Sequence, residues 1–149
     1  MQELRFTAVK VLFFLLFSGL TLLQVFSFPG QFQHMRRMQG LSLLLEISLI
    51  FMVGLLLCCG QVALICLWRI TEAMRVGLFF SQSNIVWIGR LLRAFKVASA
   101  IPVILILILA PQADDPGFFV MLSILMLFIF SLTVITSLLK EVIRDQVNN

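Results

Sequence analysis

The chain has 149 residues, of which 61% are hydrophobic and only 12% are charged. Soluble globular proteins have about 25% charged and about 45–50% apolar residues, so this composition and a mean hydropathy of +1.11 exclude an ordinary soluble domain. A net charge of +4 then reflects membrane topology rather than nucleic-acid binding, because most of the 15 phenylalanines lie in apolar runs. We predict one all-α integral membrane domain over residues 1–149, with no direct binding of nucleic acid.

The first apolar run covers about residues 6–28 and contains a single charge, Lys10. It is longer than the apolar region of a signal peptide, which has about 7–15 residues, and long enough to cross a bilayer, which takes about 20. We therefore predict a retained span that ends at Pro29, followed by a polar loop over residues 31–40. His34 in this loop has no Cys, Asp or Glu near it, so we expect no metal site.

The second apolar run, about residues 41–67, contains Glu46, the one acidic residue well inside an apolar run. Glu46 and Gln61 share one side of a helix at 100° per residue, and polar residues of membrane helices usually face other helices. We expect Glu46 either to pair with Arg36 or Arg37 near the interface, or to hydrogen-bond a neighbour as a neutral acid. An ion-coupled site is the alternative, because intramembrane carboxylates are functional hypotheses by default.

A basic segment over residues 69–96 joins the second and third spans, and Glu72 is the one acidic residue within it. Its candidate contacts to a partner or to lipid headgroups are Arg69, Arg75, Arg90, Arg93 and Lys96. We predict that the helix of the second span continues to Gly77, which takes a left-handed conformation without a Cβ penalty. Ser81 is a suitable N-cap for the next helix. The segment is therefore predicted to form a cytoplasmic helical hairpin.

The second helix of this hairpin, from residue 82, is amphipathic and continues into a third span over about residues 97–110. Its apolar positions share one side, which we expect to face lipid or a partner, and its basic positions face headgroups or cytosol. The apolar positions are Ile85, Ile88, Leu91, Leu92 and Phe95.

A fourth span follows over about residues 118–139, after a short loop that contains Asp114 and Asp115. Four spans place both termini on the same side. The near-terminal segments and the hairpin carry nine of the 11 Lys and Arg residues, and the other two are Arg36 and Arg37. The positive-inside rule therefore places both termini and the hairpin in the cytoplasm.

The hairpin sequence GLFFSQSN over residues 77–84, followed by Ile88 and Leu91, resembles the signature of a known bacterial family. The motif positions are Gly77, Phe80, Ser81 and Asn84. The family, domain of unknown function 2975, contains small four-span membrane proteins that are often encoded beside a YozG-like helix-turn-helix regulator. The resemblance implies a multi-pass protein of the bacterial inner membrane with that regulator as a candidate partner, and it implies no known activity.

The sequence contains no catalytic constellation. Intramembrane hydrolases need converging Ser-His, Asp-Asp or His-Glu groups inside the bundle. Here the sole histidine is His34 in the predicted loop, and Asp114 and Asp115 are adjacent in a turn. We therefore expect neither an enzyme nor a bound cofactor.

The favoured hypothesis is a non-enzymatic interaction or regulatory protein whose basic hairpin docks a helix-turn-helix regulator or another membrane subunit. In the simpler alternative the basic residues only bind anionic headgroups, at about 1 kcal/mol each. A third hypothesis is an accessory subunit of a larger complex that packs through Gly19, Gly54 and Gly60. A fourth is a small ion-coupled transporter using Glu46. A homo-oligomer is compatible with the sequence.

Overall fold

The structure is a computed structural model that describes residues 2–40, 42–109 and 116–148. Within these ranges the side chains of residues 2–5, 28, 35, 38, 39, 116, 118 and 148 are not described. The elements in chain order are α1 (Gln2–Leu22), a π-helical segment (Leu23–Ser27), α2 (Phe28–Gln39), α3 (Leu43–Arg75), α4 (Gln82–Leu109) and α5 (Pro116–Asn148). The predicted turn at Asp114 and Asp115 lies outside the described residues.

Four helical stretches are long and apolar enough to cross a membrane. They cover Phe6–His34, Leu43–Arg75, Gln82–Leu109 and Phe119–Val147. The shortest has 28 residues, and about 20 suffice for a hydrocarbon core about 30 Å thick. The fold is therefore all-α with four candidate spans, as the sequence predicts.

The helix of the first span does not end at Pro29, so the prediction of a polar loop over residues 31–40 is wrong. α2 continues through this region to Gln39 and ends at Gly40, whose φ is 68°. The chain passes Pro29 because the five residues before α2 form the π-helical segment. A π-helical turn is wider than an α-helical one and moves each hydrogen bond by one residue. This wider turn accommodates a ring that has no N–H.

The turn between α3 and α4 is closed by the two caps that its sequence predicts. Gly77 has a φ of 74°, and the N–H of Leu78 donates to the carbonyl of Ala73 at 2.9 Å. This pattern is the Schellman motif of a helix C-terminus. The Oγ of Ser81 accepts a hydrogen bond from the backbone N–H of Asn84 at 3.3 Å, as an N-cap does. A tight turn therefore joins α3 and α4 into a helical hairpin.

Replacing Gly77 with alanine should destabilise this hairpin by roughly 1–2 kcal/mol, the usual cost of the left-handed conformation for a residue with a Cβ. The measurement is the unfolding midpoint of the purified chain in detergent. Gly19→Ala is the matched control, because Gly19 lies in α1 with no atom within 4 Å of an added Cβ and alanine favours a helix. An equal loss of stability in the two variants would contradict the role given to the cap.

The spans lie in an open row rather than in a closed bundle. α4 packs against α3 on one side and α5 on the other, whereas α1 and α2 pack against α3. Within the described residues α1 packs against neither α4 nor α5. The order across the row is therefore α1, α3, α4, α5, and α4 is the most buried of the four spans.

Two apolar clusters hold α3, α4 and α5 together. The cluster at the hairpin end contains the buried residues Ala63, Cys66, Ile70, Ile88, Leu91 and Ile143. The cluster at the opposite end contains Leu49, Ile101, Leu105 and Leu122. Ile88 and Leu91 come from the apolar side of the predicted amphipathic helix. That side therefore packs against helices of the same chain and does not face lipid.

Candidate functional site

Two arginines from different helices lie against one indole ring, at the end of α3 and α4 where the hairpin turn joins them. The Cζ atoms of Arg69 in α3 and Arg90 in α4 are 5.4 and 4.4 Å from the ring centroid of Trp87. Both distances are within the range of about 6 Å over which a cation–π attraction acts. Neither arginine forms an ion pair with a described carboxylate. We call these three side chains the Arg69–Trp87–Arg90 surface.

Arg75 has a different environment from the other predicted contact residues. Its Nη2 lies 2.8 Å from Oε1 of Glu72, and its Nε donates to the same oxygen at 3.0 Å. The Nζ of Lys10 in α1 lies 3.2 Å from the other carboxylate oxygen of Glu72. This network ties α1 to the end of α3, so the charge of Arg75 is already partnered within the fold.

Arg93 and Lys96 lie on the exposed face of α4. At 100° per residue they share this face with Gly89. The Nζ of Lys140 in α5 is 3.6 Å from the position that a Cβ on Gly89 would occupy. The structure therefore adds Lys140 to the basic residues that the sequence singles out.

The motif residues shape the hairpin. Asn84 is almost completely buried, and its Nδ2 donates to the backbone carbonyl of Phe79 at 2.8 Å. This bond ties the loop to the first turn of α4. Phe80 is exposed and lies edge-on to Phe79, with ring centroids 5.1 Å apart. Gly77, Ser81 and Asn84 therefore have structural roles, and Phe80 is the large motif side chain that a partner can reach.

Glu46 pairs with Arg36, one of the two partners that the sequence offers. The Oε2 of Glu46 lies 2.8 Å from the Nε of Arg36, and the side chains are 9% and 37% exposed. The contact is an ion pair by distance but not an aligned hydrogen bond, so this oxygen has no hydrogen-bond partner among the described atoms. The pair joins α2 to the first turn of α3, where the helix dipole also favours a carboxylate.

Polar side chains connect the first span to α3. The Nε2 of Gln61 donates to the Oγ1 of Thr21 in α1 at 3.0 Å. The Nε2 of Gln24, in the π-helical segment, donates to the Sγ of Cys58 at 3.2 Å. Thr21 and Gln24 are not among the residues predicted from the sequence, although a glutamine inside an apolar run is a visible signal for a hydrogen bond between membrane helices.

The three glycines that the sequence offers for contact with another subunit differ in their surroundings. A Cβ on Gly54 would lie 4.0 Å from the Gln24 side chain, and one on Gly60 would lie 3.6 Å from Leu20. Both glycines therefore face the first span of the same chain. Gly19 has no atom within 4 Å of an added Cβ, so it is the one of the three that stays open to a partner or to lipid.

Comparison with known proteins identifies the family of this chain. The family model described as "Protein of unknown function (DUF2975)" matches residues 6–148. The chain belongs to the DUF2975 family. Searches of curated proteins and of solved structures each found no match. The match to the DUF2975 model includes the hairpin and all four candidate spans, so it extends well beyond the GLFFSQSN segment over residues 77–84.

The basic side chains give this DUF2975 chain its clearest binding chemistry. Guanidinium groups bind carboxylates and phosphates through paired N–H donors, and ammonium groups attract the same anions as point charges. Arg69 and Arg90 present two such groups at the Arg69–Trp87–Arg90 surface, and Arg93, Lys96 and Lys140 present three more along the face of α4 that contains Gly89. The geometry therefore suits the binding of anions at two neighbouring places, both toward the hairpin turn between α3 and α4.

Proposed function

We propose that this chain is a non-enzymatic, multi-pass protein of the bacterial inner membrane that docks an acidic protein segment on its cytoplasmic hairpin. The Arg69–Trp87–Arg90 surface carries the proposal, because two guanidinium groups without a described carboxylate partner lie against one ring. The helix-turn-helix regulator that the family resemblance suggests is the first candidate for this partner.

Arg69 and Arg90 suit a docking surface because their contact with the indole restrains both side chains before a partner arrives. A restrained side chain loses less conformational freedom on binding than one that extends into water. Each planar guanidinium then offers paired donors to a carboxylate. The apolar side of α4 is already covered by α3 and α5, so a partner meets the basic side.

The distribution of basic residues supports a cytoplasmic orientation. Nine of the 11 Lys and Arg residues lie in the near-terminal segments and the hairpin, and such residues concentrate on the cytoplasmic side of membrane proteins. In this orientation the Arg69–Trp87–Arg90 surface meets either a cytosolic protein or the cytosolic part of a membrane protein.

Site-specific photo-crosslinking in cells tests the docking proposal. A photoreactive residue at Val86, which is 51% exposed one turn before Arg90, should give a protein adduct of defined mass. Replacing both Arg69 and Arg90 with glutamine should reduce the adduct at least about tenfold, because a hydrogen bond to a charged group contributes about 1.5–3 kcal/mol. Mass spectrometry of the adduct identifies the partner and the segment that is docked.

Two controls make this experiment specific. A photoreactive residue at Leu107, which is 70% exposed at the other end of α4, should not give the same adduct. Arg37→Gln removes a charge from α2, at the end of the helices opposite to the hairpin turn. It should not reduce the adduct at Val86. A full yield of adduct without Arg69 and Arg90 would reject the docking surface.

An accessory subunit of a larger membrane complex is the second candidate function. The open row favours it, because α1 packs against α3 alone among the other three spans and leaves large apolar side chains uncovered. A photoreactive residue at Phe14, which is 67% exposed on α1, should then crosslink to a membrane protein. Docking at the hairpin alone predicts no protein adduct at Phe14.

A further inference from the structure

Three basic side chains lie along the face of α4 that contains Gly89. The Nζ of Lys140 lies 3.6 Å from the position of a Cβ on Gly89, so Lys140 reaches across from α5 to the bare backbone of α4. Arg93 and Lys96 follow on the same face, within an arc of about 60° at 100° per residue. Both are exposed, and none of the three cations forms an ion pair with a described carboxylate.

Arg93 and Lys96 lie deeper than a cytoplasmic hairpin would place them. A hydrocarbon core about 30 Å thick takes about 20 helical residues at 1.5 Å each. Counted from Leu109 at the far end of α4, that length ends at about Gly89. The same count along α5 from Phe119, where the fourth candidate span begins, ends at Leu139, next to Lys140. Arg93 is then about 6 Å inside the boundary of the hydrocarbon, and Lys96 is about 10 Å inside it.

The direction of α4 turns these two side chains back toward the boundary. The Cα–Cβ bonds of a helix tilt toward its N-terminus, and the N-terminus of α4, Gln82, lies at the hairpin end. Long basic side chains bury their apolar stems in this way and keep their charge at the headgroup level. This geometry favours orientations in which the cations of Arg93 and Lys96 approach the boundary near which Lys140 lies. Because charges at the edge of the hydrocarbon are costly when unpaired, an anion at the boundary would stabilise the group.

We propose that Arg93, Lys96 and Lys140 bind the phosphate of an anionic glycerophospholipid in the leaflet that borders the hairpin. This site shares no residue with the Arg69–Trp87–Arg90 surface and does not depend on the docking of a protein.

The exposed face of α4 has a basic part toward the hairpin and an apolar part toward Leu109, and a lipid matches both. Its phosphate meets the three cations, and its acyl chains lie along the apolar positions that continue toward the far end of the helix. Those positions are Val97, Val103, Ile104 and Leu107, and all four are exposed. Lys96 and Leu107 are about 16 Å apart along the axis, close to the depth of one leaflet, which is about 15 Å. A soluble acidic protein would match the cations but not the apolar half.

Native mass spectrometry of the purified full chain with added lipid tests this site. The chain should bind phosphatidylglycerol more tightly than phosphatidylcholine, whose headgroup has no net charge. Arg93→Gln combined with Lys96→Gln should weaken phosphatidylglycerol binding about 25-fold, because each basic residue near a membrane contributes about fivefold. Arg37→Gln combined with Arg75→Gln removes the same charge elsewhere and should leave the affinity unchanged.

Two further variants locate the lipid. Gly89→Leu keeps every charge but fills the space beneath Lys140, so it should also weaken binding of phosphatidylglycerol. Lys140→Gln changes only α5 and should weaken binding about fivefold. Equal weakening in the two double variants would indicate diffuse attraction and overturn the site. Normal affinity in both the Gly89 and the Lys140 variants would place the lipid elsewhere and overturn it as well.

Discussion

Replacing Ile88 with alanine should lower the free energy of unfolding by about 2–5 kcal/mol, the usual cost of such a change in a protein core. Ile88 has no exposed surface and belongs to the cluster that joins α3, α4 and α5. The substitution leaves a gap where three helices meet. Those helices cannot close it without shifting the hairpin, because close-packed interiors relax only partly around a cavity.

Cys66 provides the readout, because it is almost fully buried in the same cluster. In a chain with serine at Cys58 and Cys59, a thiol-reactive dye then reports the exposure of Cys66 during unfolding. Val86→Ala is the matched control, since Val86 lies two residues away on the exposed side of α4 and should change stability by less than about 0.5 kcal/mol. Equal shifts in the Ile88 and Val86 variants would contradict the assignment of Ile88 to the core.

The spans and the hairpin caps are predictable because they depend on local chemistry. An apolar run of more than about 20 residues cannot satisfy its backbone in lipid except as a helix. Gly77 and Ser81 act through their own backbone and side chain within one turn of the residues they cap. Neither feature requires knowledge of which helices are neighbours, so the sequence is sufficient for both.

Pro29 shows where local reasoning fails. A proline followed by glycine predicts the end of a helix, and the chain instead widens into a π-helical segment and continues to Gln39. Gln24 in that segment donates a hydrogen bond to Cys58 of α3. The segment before Pro29 therefore contacts another helix, which the pattern of a single run does not reveal.

The division of the basic residues also depends on neighbours that sequence spacing does not identify. Glu72 binds Arg75 and Lys10, whereas Trp87 brings Arg69 and Arg90 together across two helices. The register between α4 and α5 then brings Lys140 to Gly89. The sequence shows no link between a lysine at the end of the fourth span and the hairpin. Hydropathy identifies a span but does not determine how it is aligned along the neighbouring helix.

Removing Arg36 should destabilise the chain more than removing its partner Glu46. Glu46 is buried, so Arg36→Gln leaves a carboxylate without its counter-ion in a place with little water, at a cost of about 1.5–3 kcal/mol. Glu46→Gln leaves a cation that is 37% exposed and can turn to water, so its cost should stay below about 1 kcal/mol. The double variant should recover most of the loss, because neither charge is then left alone.

Arg37→Gln is the matched control for this series, because Arg37 is the next residue of α2, is exposed and forms no ion pair with a described carboxylate. Its unfolding midpoint should equal that of the parent chain.

The same variants test the ion-coupled alternative in liposomes. A carrier that uses Glu46 predicts that Glu46→Gln abolishes a proton- or sodium-dependent flux while the chain stays folded. A structural pair predicts that only stability changes, and a Glu46→Gln chain less stable than Arg36→Gln would contradict that pairing.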